Sequence, residues 1–414
     1  MAQGGWRSFS AARKRRIVIA IVAVCVMAFG GWGVLLFAVQ EASGGPNSPS
    51  SASGTPVITT PSATPTPTPT DTRVTVSAMG DMLPHDTVNA AALQPDGTYD
   101  YAQFLTDVKP LTASSGIVFC NQEVSSSGAA FGISGYPVFN APEKFSADIA
   151  SGAGCNAINI ANNHMADKGQ DSINATRAVW DALNPLLISG ANRSPEEQQT
   201  VTVTTVQGIK FALVSFAEYS NVPATDYGLN VFGNDAALTS VMATARANAD
   251  VVLVSLHWGT EYSNGVNDAQ RTEAARMVEL GADVIIGTGP HVLEPVEWIP
   301  GPDGKQVLVW FSIGNLLSTQ LEIAQLIGGI AQFDVVKTPA GVISIQAPSF
   351  IPTFMSYEWT AEQAAAGDLL ARHNLHVYPL ANAADALSRS LFNTTVADQQ
   401  AYVAGVLGPL VTIK

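Results

Sequence analysis

The sequence has 414 residues, of which 47% are hydrophobic and 13% are charged, so it is long enough for one large folded domain or two ordinary ones. Residues 1–41 hold five of the 20 basic residues and one of the 34 acidic residues, so the remainder carries a net charge of −18. This excess of carboxylates argues against a nucleic-acid binder and against adsorption of the folded part to an anionic surface. An anionic substrate remains open, because a bound metal ion can reverse the local field.

The first 39 residues predict a membrane anchor. Residues 1–16 end in four consecutive basic residues and should stay in the cytoplasm. Residues 17–39 are uncharged, and as a helix they span about 35 Å, which exceeds the ~30 Å hydrocarbon core of a bilayer. A cleaved signal peptide is the alternative, although its apolar region normally has only about 7–15 residues. We expect an uncleaved, single-pass protein of the cell membrane whose main domain lies outside the cytoplasm.

Composition divides the rest of the chain into a linker and a folded part. Residues 40–71 are rich in Ser, Pro and Thr and predict a disordered, extended linker that reaches on the order of 90 Å at ~3.1 Å per residue. The folded domain should therefore occupy residues 72–355. Residues 356–414 are expected to form a C-terminal extension with a helical pattern at 384–408, which either packs on the domain or serves a partner.

Strands and helices are predicted to alternate along the folded part. A hairpin is expected around Gly208, where two strand-like runs flank the glycine. The alternation predicts an α/β domain, and the hairpins of its second half predict a mixed sheet. Strands are predicted at residues 73–78, 116–120, 157–161, 186–189, 201–206, 210–216, 251–256, 284–286, 307–311, 329–336 and 342–347, and helices at 143–153, 170–183, 235–249 and 267–280.

Hard oxygen or imidazole donors follow five of these short apolar strands. A single residue of this kind is usually a turn or helix cap, as Asn162 and Asn163 would be on their own. Five of them favour a metal site, because strand ends gather at one edge of an α/β sheet. The set contains no Cys, which favours Mn, Fe or Zn bound by oxygen and nitrogen donors. The residues are Asp81, Glu123, Asn163 with His164, His257 and His291.

Two cysteines, Cys120 and Cys155, lie in the folded part. They are too few for the disulfide framework of a small secreted domain. The sequence leaves open whether they form one disulfide or remain two buried thiols.

The residues at the strand ends occur in short motifs with a fixed order. By these motifs the chain resembles the CapA family of poly-γ-glutamate capsule biosynthesis proteins, which is related to calcineurin-like metallophosphatases. The resemblance covers about residues 74–350 and implies a four-layer α/β/β/α sandwich with a metal centre at one edge of the sheets. The motifs are Gly80-Asp81, Asn121-x-Glu123, Asn162-Asn163-His164-x-x-Asp167-x-Gly169, His257-Trp258-Gly259-x-Glu261-Tyr262, Pro290-His291-Val292 and Ser312-x-Gly314-Asn315.

Carried over position by position, the resemblance implies a centre for one or two divalent transition-metal ions. His164 corresponds to the residue that protonates the leaving group in related phosphoesterases, and Asp167 is expected to orient its loop. Glu123 corresponds to a metal ligand or to a residue that orients one. The remaining positions that correspond to ligands are Asp81, Asn163, His257 and His291.

One position departs from the family pattern. Where the family often has His-Pro-His, this chain has Gly289-Pro290-His291, so one expected imidazole is absent. Either His85 or water takes its place, or the centre holds one ion or is catalytically weak. Trp258 and Tyr262 are expected to be packing residues rather than substrate contacts.

Two classes of function fit these residues. The first is a metal-dependent hydrolase of a phosphoester, or of an amide in an extracellular polymer such as poly-γ-glutamate, with His164 as general acid. The second is a non-hydrolytic component of a capsule synthesis or export assembly that holds an anionic chain in the same pocket. The intact Asn163-His164 pair favours the first class, whereas Gly289 and the membrane tether favour the second. Expected partners are the anionic polymer, the membrane and other capsule synthesis proteins.

Overall fold

A computed structural model describes residues 70–414 of the chain. The predicted cytoplasmic segment, the predicted anchor at 17–39 and all but the last two residues of the predicted linker lie outside the described residues. Within residues 70–414, no helix is both long and apolar enough to cross a membrane.

The described part of the chain contains fifteen strands, nine in a larger sheet and six in a smaller one. The strands are β1 (Thr72–Met82), β2 (Ile117–Gln122), β3 (Ala157–Asn159), β4 (Leu187–Ser189), β5 (Val203–Val206), β6 (Ile209–Ala217), β7 (Val251–His257), β8 (Val284–Thr288), β9 (Val296–Pro300), β10 (Gln306–Trp310), β11 (Asn315–Leu317), β12 (Ile327–Lys337), β13 (Ile343–Glu358), β14 (His373–Pro379) and β15 (Thr412–Ile413).

The longer helices begin and end at residues that favour those positions. Helix α4 ends at Asn184 in the left-handed conformation, and α7 begins with a reciprocal pair of cap hydrogen bonds between Asn267 and Gln270. The helices are α1 (Asp86–Ala92), α2 (Lys109–Thr112), α3 (Glu143–Gly152), α4 (Gln170–Leu183), α5 (Pro195–Gln198), α6 (Asp235–Asn248), α7 (Asp268–Glu279), α8 (Ile323–Leu326), α9 (Ala361–Ala365), α10 (Ala384–Arg389) and α11 (Val396–Leu407).

The larger sheet is mixed. Its strands follow the order β14-β13-β12-β1-β2-β3-β4, with β11 also paired to β1 and β15 to β13. The run from β1 to β4 is parallel, whereas β12, β13 and β14 are antiparallel to their neighbours. The carboxyl ends of β1, β2 and β3 therefore lie side by side at one edge.

The smaller sheet follows the order β5-β6-β7-β8-β10-β9. Strands β6, β7, β8 and β10 are parallel, and the two edge strands are antiparallel to them. The predicted hairpin is present between β5 and β6, with positive φ at Gln207 and Gly208, as a two-residue hairpin turn requires. The prediction of a mixed α/β fold with two sheets is confirmed.

Alternating residues of the smaller sheet belong to two different hydrophobic cores. Phe211 and Leu253 on one face lie in the core that also contains the strands of the larger sheet. Val214 on the other face lies in a second core with Leu238 of α6 and Met277 of α7. Because side chains alternate across a strand, one face of this sheet is buried against the larger sheet's core and the other against helices.

The C-terminal residues are part of the larger sheet, which differs from the expected division at residue 355. Strand β13 continues through that position to Glu358, and β14 and β15 both pair with β13. The helical pattern predicted at 384–408 is two helices, α10 and α11, rather than one. The predicted extension therefore packs on the domain.

Cys120 and Cys155 form a disulfide. Cys120 lies in β2 and Cys155 lies two residues before β3, so the bond joins two adjacent parallel strands. Of the two alternatives that the sequence left open, the structure has the disulfide. Both residues are buried.

Candidate metal centre

Both sheets contribute side chains to one buried cluster at the carboxyl ends of their parallel strands. Asp81 lies near the end of β1, Glu123 directly follows β2, and Asn163 lies four residues after β3. His257 is the last residue of β7, and His291 lies three residues after β8. The structure thus brings together all five residues that the sequence predicted as ligands.

Asp81 is fully buried and accepts hydrogen bonds on both carboxylate oxygens. Oδ1 accepts from Asn121 Nδ2 at 2.7 Å, and Oδ2 accepts from the Gly289 N–H at 3.2 Å. His291 Nδ1 lies 3.0 Å from the same Oδ2 and 3.0 Å from Asn315 Oδ1. Burial raises the pKa of Asp81, but the His291 hydrogen bond and charge outweigh it, so the net pKa is lowered.

Glu123 is also fully buried, and neither of its carboxylate oxygens has a hydrogen-bond partner within the described residues. Its Oε1 lies 3.6 Å from His257 Nε2 and 3.6 Å from His291 Nε2. Burial, and then the neighbouring Asp81 carboxylate, raise the pKa of Glu123 well above its ordinary value. A buried ionised carboxylate without partners is unfavourable, so Glu123 either takes up a proton or is compensated by a cation.

One set of donor atoms is close enough together to hold a single ion. The donor atoms of Asp81, Glu123 and His291 all lie within 4.8 Å of one another. Burial lowers the pKa of His291, but the carboxylates of Glu123 and Asp81 raise it to about 10. A buried Asp–Glu–His group of this kind could hold a metal ion.

His257 and Asn163 contact each other beside Glu123. His257 Nε2 is 3.0 Å from Asn163 Oδ1, and its Nδ1 is 3.0 Å from Thr288 Oγ1. Burial lowers the pKa of His257 to about 4, so the ring is neutral at pH 7 and can offer a lone pair. Glu123 is thus shared between two potential sets of ligands, one with Asp81 and His291 and one with Asn163 and His257.

His164 is held by a carboxylate on one side and an aromatic ring on the other. Its Nδ1 lies 2.8 Å from Asp167 Oδ2, which also accepts the Phe139 N–H at 2.8 Å. The Phe139 ring meets the imidazole edge-on, with 4.6 Å between ring centroids. The side-chain amide nitrogen of Asn221 lies within 3.3 Å of both imidazole nitrogens. Asp167 thus contacts the His164 ring and accepts the backbone N–H of Phe139.

Gly289, where a histidine was expected, and His85, its possible replacement, both make other contacts. Gly289 has φ +107°, and a Cβ placed on it would lie 2.7 Å from the Trp258 carbonyl oxygen. Its N–H binds Asp81 instead. His85 Nδ1 accepts the Thr319 N–H at 3.3 Å, and His85 does not belong to the Asp81–Glu123–His291 group. The structure therefore gives no support to His85 as a replacement ligand.

Several polar residues around the ligands were not predicted as site residues. Asn121 bridges Asp81 and Asn159, whose Nδ2 donates to Asn121 Oδ1 at 2.8 Å. Asn315 Oδ1 lies 3.0 Å from His291 Nδ1. The available sequence signal was an amide or hydroxyl inside an otherwise apolar strand, because such a group must find a partner when it is buried.

Comparison with known proteins matches the part of the chain that carries the cluster to one protein family. Residues 75–320, more than half of the chain, match the family model described as "Bacterial capsule synthesis protein PGA_cap". The chain belongs to the PGA_cap family. All five predicted ligands, His164 and Asn315 lie within the matched residues.

Two relatives of this PGA_cap chain carry capsule-related names. It is 29% identical over 187 residues to the PGA biosynthesis protein CapA of Bacillus subtilis, covering 44% of this chain and 48% of that protein. It is 29% identical over 175 residues to the capsule biosynthesis protein CapA of Bacillus anthracis, covering 41% of each. The match thus spans about half the length of these relatives or less.

Among solved structures, the PGA_cap chain is similar to the NAD nucleotidase NadN of Haemophilus influenzae. The match has a TM-score of 0.39 and 14% identity, and it covers 72% of this chain and 62% of the nucleotidase. A TM-score this low supports no inference about fold or activity.

Proposed function

We propose that this chain is a metal-dependent hydrolase of capsule biosynthesis. The observation that carries the proposal is Glu123, a fully buried carboxylate with no hydrogen-bond partner among the described residues. It lies 3.6 Å from two imidazoles and within 4.8 Å of the Asp81 and His291 donor atoms. A divalent cation compensates such a carboxylate, and a structural role in the core does not explain it.

The donor set fits a divalent transition metal. Asp81, Glu123 and His291 would hold one ion, and Asn163 and His257 would complete a second position that shares Glu123. Carboxylate, amide oxygen and imidazole donors without thiolate suit Mn, Fe or Zn. A divalent ion bound here supplies Lewis acidity to a phosphoester or amide group. We also infer a four-layer α/β/β/α order, supported by the two cores on opposite faces of the smaller sheet.

His164 is the residue we assign as general acid. With Nδ1–H donated to the Asp167 carboxylate, Nε2 is the nitrogen that gains or loses the second proton, and in the imidazolium form Nε2–H is the proton that a leaving group needs. Phe139 limits rotation of the imidazole and shields it from water. Because His164 follows Asn163 directly in the chain, the acid and a candidate ligand are positioned by the same turn.

The substrate class follows from the family and remains part of the proposal. The two relatives bear names in PGA and capsule biosynthesis, so the proposed substrate is a phosphoester or a polymer amide of that process, with other capsule synthesis proteins as partners. Poly-γ-glutamate is the anionic polymer that we propose, because bound metal ions would offset the repulsion between it and the negatively charged domain.

The test measures metal content and hydrolysis in the same preparations. Asp81→Ala and His257→Ala should lower metal occupancy sharply, since even altered partners of ligands weaken metal affinity about 10–100-fold. His164→Ala should keep the metal and lose about 10²–10⁴-fold in hydrolysis of a chromogenic phosphoester. Unchanged metal content in both ligand variants would refute the metal centre.

A non-catalytic role in holding the polymer is the second candidate. It is favoured by Gly289, which occupies the position of an expected imidazole and binds Asp81 through its backbone. Wild-type protein that binds metal and polymer but hydrolyses no phosphoester or polymer amide would favour this role. Turnover that is lost in His164→Ala would favour the hydrolase.

We further propose that the domain acts outside the cytoplasm on a membrane tether. The Cys120–Cys155 disulfide supports an oxidising compartment, because such bonds are rare in the reducing cytosol of mesophiles. The basic residues at 13–16 and the uncharged run at 17–39 support an uncleaved anchor. The full-length chain should sediment with membranes, and a mature N-terminus beyond residue 39 would refute the anchor.

A further inference from the structure

His85 lies beside the candidate metal centre, four residues after the candidate ligand Asp81. We propose that the Nε2–H of His85 donates a hydrogen bond to an oxygen of the scissile phosphoester or amide group and stabilises the negative charge on it. In this role His85 contacts the substrate, keeps its proton and binds no metal. The inference adds a catalytic residue to the hydrolase proposed above and so rests on that function.

The backbone determines which nitrogen of His85 carries the proton. The Thr319 N–H lies 3.3 Å from Nδ1, and a backbone amide can only donate, so Nδ1 accepts and the proton of the neutral ring is on Nε2. Burial lowers the pKa of His85 to about 3, and the charges of His291 and Arg372 act in the same direction. Within residues 70–414, Nε2 has no hydrogen-bond partner and is not a fully buried atom. His85 therefore presents an N–H donor that a bound substrate can reach.

The position of His85 is set by the same strand pairing that places Asp81. Strands β1 and β11 run parallel beside Asp81. Their contact continues along the chain, because the Leu83 N–H donates to the Leu317 carbonyl at 2.8 Å and the Thr319 N–H then donates to His85. His85 is thus fixed relative to the ligand by backbone hydrogen bonds and not by side-chain packing alone.

Arg372 holds the residue that orients His85. It donates to the Thr319 carbonyl, and its guanidinium lies 5.2 Å and 5.6 Å from the ring centroids of Tyr357 and Trp359. Arg372 is buried, and no carboxylate within residues 70–414 forms an ion pair with it. The Thr319 backbone is therefore held from the carbonyl side while its N–H holds the imidazole. A donor fixed in advance needs no reorganisation when charge develops on the substrate.

The His85 ring shares a neighbour with the candidate acid His164. Both imidazoles meet the Phe139 ring edge-on, with 5.5 Å between centroids for His85 and 4.6 Å for His164. His291 and His164 are both close enough for their charges to act on His85. One scissile group at the centre can therefore lie within reach of the acid, the ligands and the His85 donor.

The surface next to these residues is open to an extended substrate. Tyr136, whose ring centroid is 6.4 Å from that of Phe139, is 74% exposed. Tyr262 was expected to be a packing residue, but it is 53% exposed and stacks on His291 with 6.0 Å between centroids. Exposed side chains thus border both the acid side and the ligand side of the centre, so a polymer has access to it.

The role of His85 fits the charge balance of hydrolysis. Water forms the new bond through its oxygen and releases one proton to solvent, while the leaving group takes the electron pair of the broken bond and the proton of His164. A carbonyl oxygen of an amide, or a non-bridging oxygen of a phosphoester, holds negative charge in the transition state. The neutral N–H of His85 stabilises that oxygen without giving up its proton. Both substrate classes present such an acceptor, so the role suits either.

The first test compares two variants in the full 414-residue chain loaded with Mn²⁺. His85→Phe keeps a ring against Phe139 but removes the donor, and it should lower kcat for a chromogenic phosphoester about 10²–10³-fold with little change in KM. His85→Gln keeps an N–H donor and should recover most of that loss, which a purely structural role would not allow. His376→Phe is the matched control, because His376 is a partly exposed histidine that packs on Tyr378, and it should match the wild type.

The second test needs no turnover. Inorganic phosphate, which has the oxygen acceptors of a phosphoester, is titrated by calorimetry into the same metal-loaded proteins. We expect its Kd to rise about tenfold in His85→Phe, because one hydrogen bond to a charged group is lost, and to change little in His85→Gln and His376→Phe. Metal content measured on each sample should be equal in all four proteins.

The outcomes separate this inference from the hydrolase. Equal kcat and equal phosphate affinity in His85→Phe and the wild type would refute the donor alone, and so would losses that His85→Gln does not reduce. A His85→Phe variant that loses its metal would make His85 a ligand, which also refutes the inference. Phosphate binding that depends on His85 in a wild type without turnover would support the donor and contradict the hydrolase. A wild type that neither hydrolyses nor binds phosphate would refute both.

Discussion

Replacing Glu123 by glutamine tests the metal centre through stability rather than activity. The substitution keeps the shape of a fully buried side chain and removes its charge. Without metal, the wild-type carboxylate has no partner among the described residues, and burial already raises its pKa, so its ionised form opposes folding. In EDTA, Glu123→Gln should therefore be at least as stable as the wild type.

A bound metal should reverse that order. An ion present at 100 times its Kd stabilises the wild-type fold by about 2.7 kcal/mol. If loss of this ligand weakens binding about 100-fold, the same ion concentration stabilises the variant by only about 0.4 kcal/mol. The wild type should thus exceed the variant by roughly 2 kcal/mol in metal-dependent stabilisation, which is on the order of 5 °C in Tm.

The assay is urea unfolding at pH 7.5, followed by tryptophan fluorescence, in EDTA and in excess Mn²⁺. Glu294→Gln is the matched control, because Glu294 is another fully buried glutamate and lies outside the Asp81–Glu123–His291 group. Its metal-dependent gain should equal that of the wild type. A Glu123→Gln variant with the full metal-dependent gain, or one that is much less stable than wild type in EDTA, would contradict the assignment of Glu123 as a ligand.

Three further predictions concern other buried groups. Burial raises the pKa of Glu294 to about 7, so its contribution to stability should fall by roughly 3 kcal/mol as the pH rises from about 4.5 to above 7; urea unfolding should show a pH-dependent loss that is smaller by that amount in Glu294→Gln than in the wild type. Gly289→Ala should lower the free energy of unfolding by about 1–3 kcal/mol, because φ is +107° and Cβ would lie 2.7 Å from a carbonyl oxygen; an unchanged urea midpoint would count against this. Reduction of Cys120–Cys155, which are 35 residues apart, should lower it by about 4 kcal/mol, and equal midpoints with and without reductant would contradict that.

Local elements were predictable where short-range chemistry decides the structure. Helix α4 was predicted at its observed bounds, because its apolar periodicity ends at Asn184, a residue that tolerates the left-handed conformation. The β5–β6 hairpin followed from Gly208 for the same reason. These features depend on a few neighbouring residues, so the sequence alone contains them.

Strand β13 shows where local reasoning fails. It was predicted to end near residue 347, where Ala347 has φ +51° and the pairing with β12 shifts register. Pro352 within the second part also argues against a strand between two others, because proline cannot donate to the ladder. The strand nevertheless continues to Glu358, since β12 and β14 pair with it on both sides. Long-range pairing outweighed the local preference.

The donor types of the site were predictable, but their partners were not. A carboxylate, amide or imidazole directly after an apolar strand is visible in the sequence, and the structure gathers five such residues. The contact of Asn121 with Asp81 depends on the pairing of β1 with β2, and that of Asn315 with His291 depends on how the two sheets meet, over separations of 40 and 24 residues. The exposure of Tyr262 likewise depends on its backbone angle, which its residue type disfavours.

At Gly289 the chain lacks the expected imidazole, and the backbone there also has a conformation and contacts that a side chain would disturb. Its N–H binds the Asp81 carboxylate, and the Trp258 carbonyl occupies the space that a side chain would need. Histidine at this position would therefore require the backbone to move, which argues against a simple restoration. The two sets of donors around Glu123 are consequently unequal. Asp81 and His291 give the first set a second carboxylate, whereas the other has an amide and an imidazole, so we expect one ion to bind more tightly than any second.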